Sequence, residues 1–267
     1  MQETELRSDA CGVTRVRVLG IEIDPLTIPE LNERIGRIID QGQKGLVLNV
    51  NANAMNIACE EPWFHAFLRQ AHLMYCDGAG VQLAARLLGG HIPQRICLTD
   101  WQWSLVEYCS QRGYTLYLLG SVPGVARAAA QRFHERFPTT QILGTRDGYF
   151  HQSGPENEAV IGDINRLRPN ILIVGMGMPL QEQWLEQNWK KLDVNILISG
   201  GACLDYASGR VRRCPTWMRE NGLEWLFRLA LEPRRMFRRY VIGNPLFLLR
   251  ALKYGRSYNF PAWAKHE

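Results

Sequence analysis

"NILIVGMGMPLQEQWLEQNWKKLDVNILISGG", residues 170–201, contains a complete structural unit. It opens on an apolar run, NILIVGMG (170–177), passes through Pro179, carries Leu180, Trp184, Leu185 and Leu192 at helical spacing, and closes on a second apolar run, VNILISGG (194–201). Short continuous apolar runs suit strands buried on both faces, and the spaced residues suit one face of a helix. Proline fits a helix start, where its missing N–H would have had no partner in any case. The stretch therefore predicts strand, helix, strand, the crossover unit of a parallel sheet.

The same alternation runs outward through the chain. GLVLNV (45–50), HLMYC (72–76), YTLYLLG (114–120) and TQILG (140–144) read as further strands. IPELNERIGRIIDQG, GVQLAARLLGG, WQWSLVEYCSQRG, GVARAAAQRFHERF and NEAVIGDINRL read as helices between them. The expected class is α/β, Rossmann-like, a mainly parallel sheet with helices on both faces. In such folds ligands sit at the carboxyl ends of the strands. There the chain places NANAMN, with Asn51 and Asn53 expected in a loop, and DGAGVQ, where Asp77 is followed by Gly78 and Gly80. It also places Gly120, Ser121 and Gly124 ahead of a helix, where free amides favour a phosphate. Gly177 and Pro179 come next, with Gln181 and Glu182 in a first helical turn. Four strand ends are expected to converge on one polar crevice.

The tail has a different character. From Arg210 onward, thirteen basic residues face four acids, a net of +9 in a chain whose total is +5, so residues 1–209 carry −4. In GLEWLFRLALEPRRMFRRY (222–240) a new helix is expected at Pro233. At about 100° per residue, Arg234, Arg235, Arg238 and Arg239 share one half of that helix, while Met236, Phe237, Tyr240 and Val241 share the other. Such asymmetry points to an anionic partner: a phosphate-bearing ligand, a membrane surface or nucleic acid. The expected organisation is an α/β catalytic core at 1–209 and a basic, aromatic-rich helical appendage at 210–267.

Composition is that of a globular protein, 46% hydrophobic and 21% charged. The longest apolar runs are about half of the roughly 20 residues a membrane-spanning helix needs. The opening residues lack the apolar centre of a secretory signal, so the expected location is cytoplasmic. Seven scattered cysteines without a C-x-x-C suggest reduced thiols, and the six histidines show no metal-ligand spacing.

The ordered set of motifs resembles the WecG/TagA/CpsF family of bacterial glycosyltransferases. The resemblance is carried by DGAGVQLAARLLGG with QR shortly after, YLLGS, RDGYF, GMPLQEQW and the long GGACLDYASGRVRRCPTWMRENGLEWLFRLALEPRRMFRRY, and it runs from about Val18 to Leu249. It implies transfer of a sugar from a UDP-sugar to a polyprenyl-diphosphate-linked sugar, with inversion to a β-linkage, by a peripheral enzyme at the inner face of the cell membrane. It also suggests that subunits assemble into a homo-oligomer. Inverting transfer needs a general base, and Asp77 is the best candidate, with Asp100, Asp147 and Asp205 as rivals. Asp100 suits a helix cap and Asp205 a structural role. The departing diphosphate needs its charge neutralised, often by a metal on an Asp-x-Asp motif. This chain has no such motif, and arginines can perform that role, so no metal or other cofactor is expected. The resemblance assigns it to Arg228, Arg235 and Arg238, at positions that close over the active site. It assigns Asn51 and Gln181 to orienting sugar hydroxyls, and matches Arg95 to an arginine after the Asp-Gly segment.

Asn49 and Leu98 depart from the family's common threonine and glycine, near the presumed sugar site. The donor therefore stays open among N-acetylmannosamine, its uronic acid and glucose. A dehydrogenase is disfavoured because no G-x-G-x-x-G follows the first strand with an acid about 20 residues later. A nucleic-acid-binding module is disfavoured because no recognisable motif accompanies the basic tail.

Overall fold

A computed structural model describes residues 14–220 and 222–258. The chain begins with an antiparallel hairpin, β1 (Val16–Val18) and β2 (Ile21–Ile23), turning through Leu19 and Gly20 at φ 49° and 79°. Positive φ at both turn residues matches the twist of paired strands. All six apolar runs read as strands are strands: β3 (Gly45–Val50), β4 (Leu73–Cys76), β5 (Thr115–Gly120), β6 (Gln141–Arg146), β7 (Ile171–Gly175) and β8 (Ile196–Ser199). They form one parallel sheet in the order β4-β3-β8-β7-β5-β6. The strands β3, β4, β7 and β8 are buried at every position, whereas the edge strand β6 is exposed or half-buried throughout. Helices flank the sheet, as the alternation predicts.

The chain packs as two compact units. One comprises residues up to Thr27, Asn49–Ile96 and those from Arg213 onward, and the other Ile28–Leu48 and Cys97–Arg212, so β3 contributes to both.

In the first unit Asp24 ties the hairpin to β4. Its N–H donates to the Met74 carbonyl at 2.8 Å, its Oδ2 accepts from the Met74 N–H at 2.7 Å, and Arg15 Nε donates to Oδ1 at 2.8 Å. Asn51 and Asn53 are expected in a loop, but the residues after β3 form two helices, α2 (Ala52–Glu60) and α3 (Pro62–Leu68), before β4, and α4 (Ala79–Leu87) follows it. The tail is helical as α10 (Thr216–Glu220), α11 (Glu224–Leu231), α12 (Pro233–Met236), a π-helix (Phe237–Ile242) and α13 (Gly243–Tyr254). Six more helices among the described residues belong to the second unit.

Pro233 opens a helix as expected, but the helix widens after one turn, so a constant 100° phase does not hold across the arginines. Met236 is buried, yet Phe237, Val241 and Ile242 are 53%, 41% and 51% exposed. Within the apolar half of the wheel, Phe237 and Val241 are thus open to solvent, Tyr240 is half-buried and Met236 is buried. Further on, α13 is built into its unit. Phe247 is fully buried, and a Cβ on Gly80 of α4 would stand 3.8 Å from its ring. Asn56 on α2 donates to the Gly243 carbonyl at 2.7 Å, and Arg250 donates to Asn56 Oδ1 at 3.0 Å and Glu60 Oε1 at 2.9 Å. The hairpin turn closes the circuit, with the Leu19 and Gly20 N–H groups donating to the carbonyls of Gly255 and Arg256.

The second unit carries α1 (Ile28–Asp40), α5 (Leu98–Arg112), α6 (Val125–Arg136), α7 (Pro155–Leu167), α8 (Leu180–Asn188) and α9 (Cys203–Ala207). Two buried asparagines on helix faces have the same explanation. Trp101 Nε1 donates to Asn32 Oδ1 and Trp184 Nε1 to Asn157 Oδ1, each at 2.7 Å, so each indole N–H taken into the core has an acceptor. No helix among the described residues is long and apolar enough to cross a membrane.

The burial of α13 generates a direct test. Phe247→Ala should lower unfolding stability by about 3–5 kcal/mol, the cost of emptying a fully buried aromatic site. Leu249→Ala, at a position 65% exposed, should change it by less than about 0.5 kcal/mol. Urea titration of both variants checks the contrast, and equal small effects would mean that α13 does not contribute to the core.

Candidate active site

In the first unit the candidate residues gather where β3 and β4 end. The Asp77 N–H donates to the Val50 carbonyl at 2.9 Å, which continues the pairing one residue beyond the end of β4. Asn51 follows Val50 and caps α2, its Oδ1 accepting from the Ala54 N–H at 3.0 Å. Asn51 and Asn53 therefore belong to a helix start and not to a free loop. The reason is Asn51 itself, because an asparagine with extended backbone satisfies one of the orphan amides of a first turn.

Gly78 lies directly against that cap. A Cβ there would stand 3.1 Å from Asn51 Cα and 3.2 Å from its Cβ, so the turn after Asp77 approaches Asn51 more closely than a side chain would comfortably allow. The chain returns past the same point after α4, where the Ile96 N–H donates to the Cys76 carbonyl at 2.8 Å. Arg95 and Asp77 thus flank Cys76. Burial pushes the Cys76 thiol up to about 12; the Asp77 carboxylate adds to the rise and the Arg95 guanidinium opposes it. Cys76 is consequently no thiolate nucleophile near neutral pH. Asn51, Asp77, Gly78 and Arg95 are brought together.

The tail arginines are carried by the same unit. A Cβ on Gly222, just ahead of α11, would stand 3.7 Å from Ala79 Cβ at the start of α4, two residues beyond Asp77. Arg228 projects from α11 with Nη2 3.2 Å from Glu224 Oε1, and Arg213 Nη1 donates to the same oxygen at 2.9 Å. Arg238 is exposed on the π-helix. The side chain of Arg235 lies outside the described residues.

The second unit gathers the remaining candidates. The pairing of β5 with β7 ends at Gly120 opposite Gly175, and any side chain on Gly120, at φ 141°, would collide with the Gly175 carbonyl. Glycine is required there. Ser121 follows in the left-handed region at φ 59°, held by its N–H to the Gly175 carbonyl and by its own carbonyl accepting from the Gly148 N–H, both at 2.9 Å. Its Oγ donates to Asp205 Oδ1 at 2.8 Å, and Arg210 Nη1 meets the same carboxylate oxygen at 3.0 Å. Because the one hydroxyl proton of Ser121 is directed at a carboxylate, Ser121 can offer a ligand only lone pairs. That geometry suits a hydroxyl or N–H of a ligand better than a phosphate oxygen.

Gln181 is expected to orient sugar hydroxyls, but its side chain is committed to the protein. The residue is 1% exposed, its Oε1 accepts from Gly177 N–H at 3.2 Å and Gly201 N–H at 2.8 Å, and its Nε2 donates to Glu182 Oε1 at 2.7 Å. One amide thereby fastens the loop after β7 to the loop after β8. Glu182, also 1% exposed, is a buried carboxylate that periodicity could not reveal, because a polar residue in a first turn reads as solvated. Gly120, Ser121, Gly177 and Gln181 are brought together, with Asp205 and Arg210 beside Ser121.

A parallel sheet flanked by helices, with a glycine turn after Asp77 in one unit and interlocked glycine turns in the other, defines an α/β protein of the Rossmann-like kind, whose sites lie at the carboxyl ends of its strands. The model of the glycosyl transferase WecG/TagA/CpsF family matches residues 16–260, nearly the whole chain. The protein belongs to that family and is a glycosyltransferase. Curated relatives include the N-acetylglucosaminyldiphosphoundecaprenol N-acetyl-beta-D-mannosaminyltransferase of Bacillus subtilis strain 168, 26% identical over 234 residues, 85% of this chain and 89% of the relative. The enzyme of the same name from Staphylococcus aureus strain NCTC 8325 is 25% identical over 248 residues, 92% of this chain and 95% of the relative.

The amide of Gln181 carries a measurable consequence. Gln181→Ala leaves two loop N–H groups without their acceptor, so unfolding stability should fall by about 1–3 kcal/mol alongside any loss of turnover. Denaturant titration checks it; an unchanged midpoint with reduced turnover would assign Gln181 to ligand contact instead.

Proposed function

We propose that this glycosyltransferase moves a sugar from a UDP-sugar onto a sugar carried by a polyprenyl diphosphate, forming a β-linkage with inversion. The observation that carries the reading is the Asp77 carboxylate on a glycine turn packed against Asn51 and flanked by Arg95, in a chain whose relatives are named for β-mannosaminyl transfer to a diphosphoundecaprenol-linked sugar. In a single displacement the acceptor hydroxyl attacks the anomeric carbon from the face opposite the nucleotide. Its proton passes to Asp77, and the bond from the anomeric carbon to the β-phosphate oxygen breaks, releasing UDP with the electron pair. Arg228, Arg235 and Arg238 are assigned to the developing diphosphate charge. Asn51, Asn53, Gly78 and Arg95 are assigned to the reacting sugars. The turn of Gly120 and Ser121 is assigned to hydroxyl or N–H donors of the nucleoside, and Gln181 to positioning through Gly177 and Gly201. Among family donors, N-acetylmannosamine is favoured by the names of the relatives.

Asp77→Asn tests the assignment of the base. Transfer should fall by far more than tenfold while UDP affinity, read by thermal shift, stays near wild type, because the base acts on the acceptor. Retention of more than a tenth of the rate, a barrier change of about 1.4 kcal/mol or less, would exclude Asp77.

The same reading places the enzyme on the inner face of the cell membrane. In support, exposed Trp217, Phe237, Ile242, Leu249 and Leu252 share a segment with a net charge of +9. Basic residues near an anionic surface contribute about 1 kcal/mol each and are screened beyond about 8–10 Å at physiological salt. Sedimentation with anionic vesicles should therefore weaken steeply as salt rises and should exceed that with neutral vesicles; equal binding to both would remove the electrostatic account.

A further inference from the structure

Glu224 is a carboxylate at the head of α11 that is only 8% exposed. Burying a charge is costly unless it is paired, and here a single oxygen, Oε1, meets both Arg213 Nη1 at 2.9 Å and Arg228 Nη2 at 3.2 Å. Two guanidinium groups that meet at one oxygen are held side by side. The two side chains keep 21% and 24% of their surface open, while Arg213 Nε and Nη2 and Arg228 Nε are buried. Arg228 is one helical turn from Glu224 and would find it unaided, whereas Arg213 arrives from ahead of α10, eleven residues upstream.

A planar fork makes two parallel hydrogen bonds to a phosphoryl group, and two adjacent forks match a ligand that carries its charge on two linked phosphoryl groups. Held apart from any anion, two such cations would repel; the shared carboxylate offsets that repulsion and orients both. We propose that Arg213 is a further ligand-binding residue, which clamps a diphosphate together with Arg228, and that Glu224 is the positioning residue of the clamp. This rests on the reading in which Arg228 faces a diphosphate. Both the nucleotide donor and the lipid-linked acceptor carry that group.

The test is calorimetric titration of the full chain with inorganic pyrophosphate, with parallel titrations of UDP and farnesyl diphosphate to identify the source. Arg213→Ala should weaken pyrophosphate about tenfold, and Arg213→Lys, which keeps the charge but loses the fork, should fall between. Glu224→Gln should weaken it as well, although removal of a negative charge would by itself strengthen anion binding, and Glu224→Asp should restore part of the loss. Whichever of UDP and farnesyl diphosphate weakens in parallel is the ligand held. The clamp is overturned if wild type does not bind pyrophosphate, or if the losses are confined to pyrophosphate. It is equally overturned if Arg213→Lys and Glu224→Gln bind as wild type does while only their melting temperatures drop, the signature of a purely structural ion pair. Binding is read without turnover, so failure of the transfer reaction would leave this result standing.

Discussion

Strands buried on both faces leave no position along their length where a polar side chain can meet a ligand. In this protein β3, β4, β7 and β8 are buried at every residue, so the exposed candidate groups are carried by the turns that leave their carboxyl ends. Those turns must come close without side chains in the way. Hence Gly120 lies against Gly175, and Gly78 lies against Asn51. Gln181 then supplies the acceptor that two glycine amides would otherwise lack. The same buried strands that hold the fold together dictate where its chemistry can occur.

Much of this was legible in the chain. The six strands were visible because a strand buried on both faces is a continuous apolar run, and the helices between them because their apolar residues recur at helical spacing. What escaped had weaker patterns. The hairpin VRVLGIEI alternates over only three residues a side, and α2, with the sequence ANAMNIACE, carries two asparagines that blur its apolar face. Asn56 lies on the buried side because it bonds to Gly243, a partner 187 residues away that no local pattern can announce. The candidate residues were found from their place at strand ends and from the family resemblance. Their partners were not, since the bonds of Ser121 to Asp205 and of Gln181 to Gly177 and Gly201 depend on how the turns pack.

The tail shows how far helical phase alone can be carried. A wheel drawn through Pro233 to Val241 assumes uniform rotation, and the π-helix breaks that assumption. Exposed apolar residues remain on the same stretch as exposed arginines. Meanwhile α13 beyond it is bonded to α2 and to the hairpin turn. The tail thus combines an anchored end with a segment where Phe237, Val241 and Ile242 face solvent, and the proposed membrane contact draws on exposed apolar side chains of both.

The central claim is transfer from a UDP-sugar to a lipid-diphosphate-linked sugar, and it is tested most directly by following one reaction by mass and by anomeric proton coupling. The full chain would be incubated with UDP-N-acetylmannosamine and a short-chain polyprenyl diphosphate bearing N-acetylglucosamine. The account predicts a lipid product heavier by one N-acetylhexosamine unit, joined in the β-configuration, with one UDP released per product. Release of free sugar without a lipid product, or a product in the α-configuration, would contradict it.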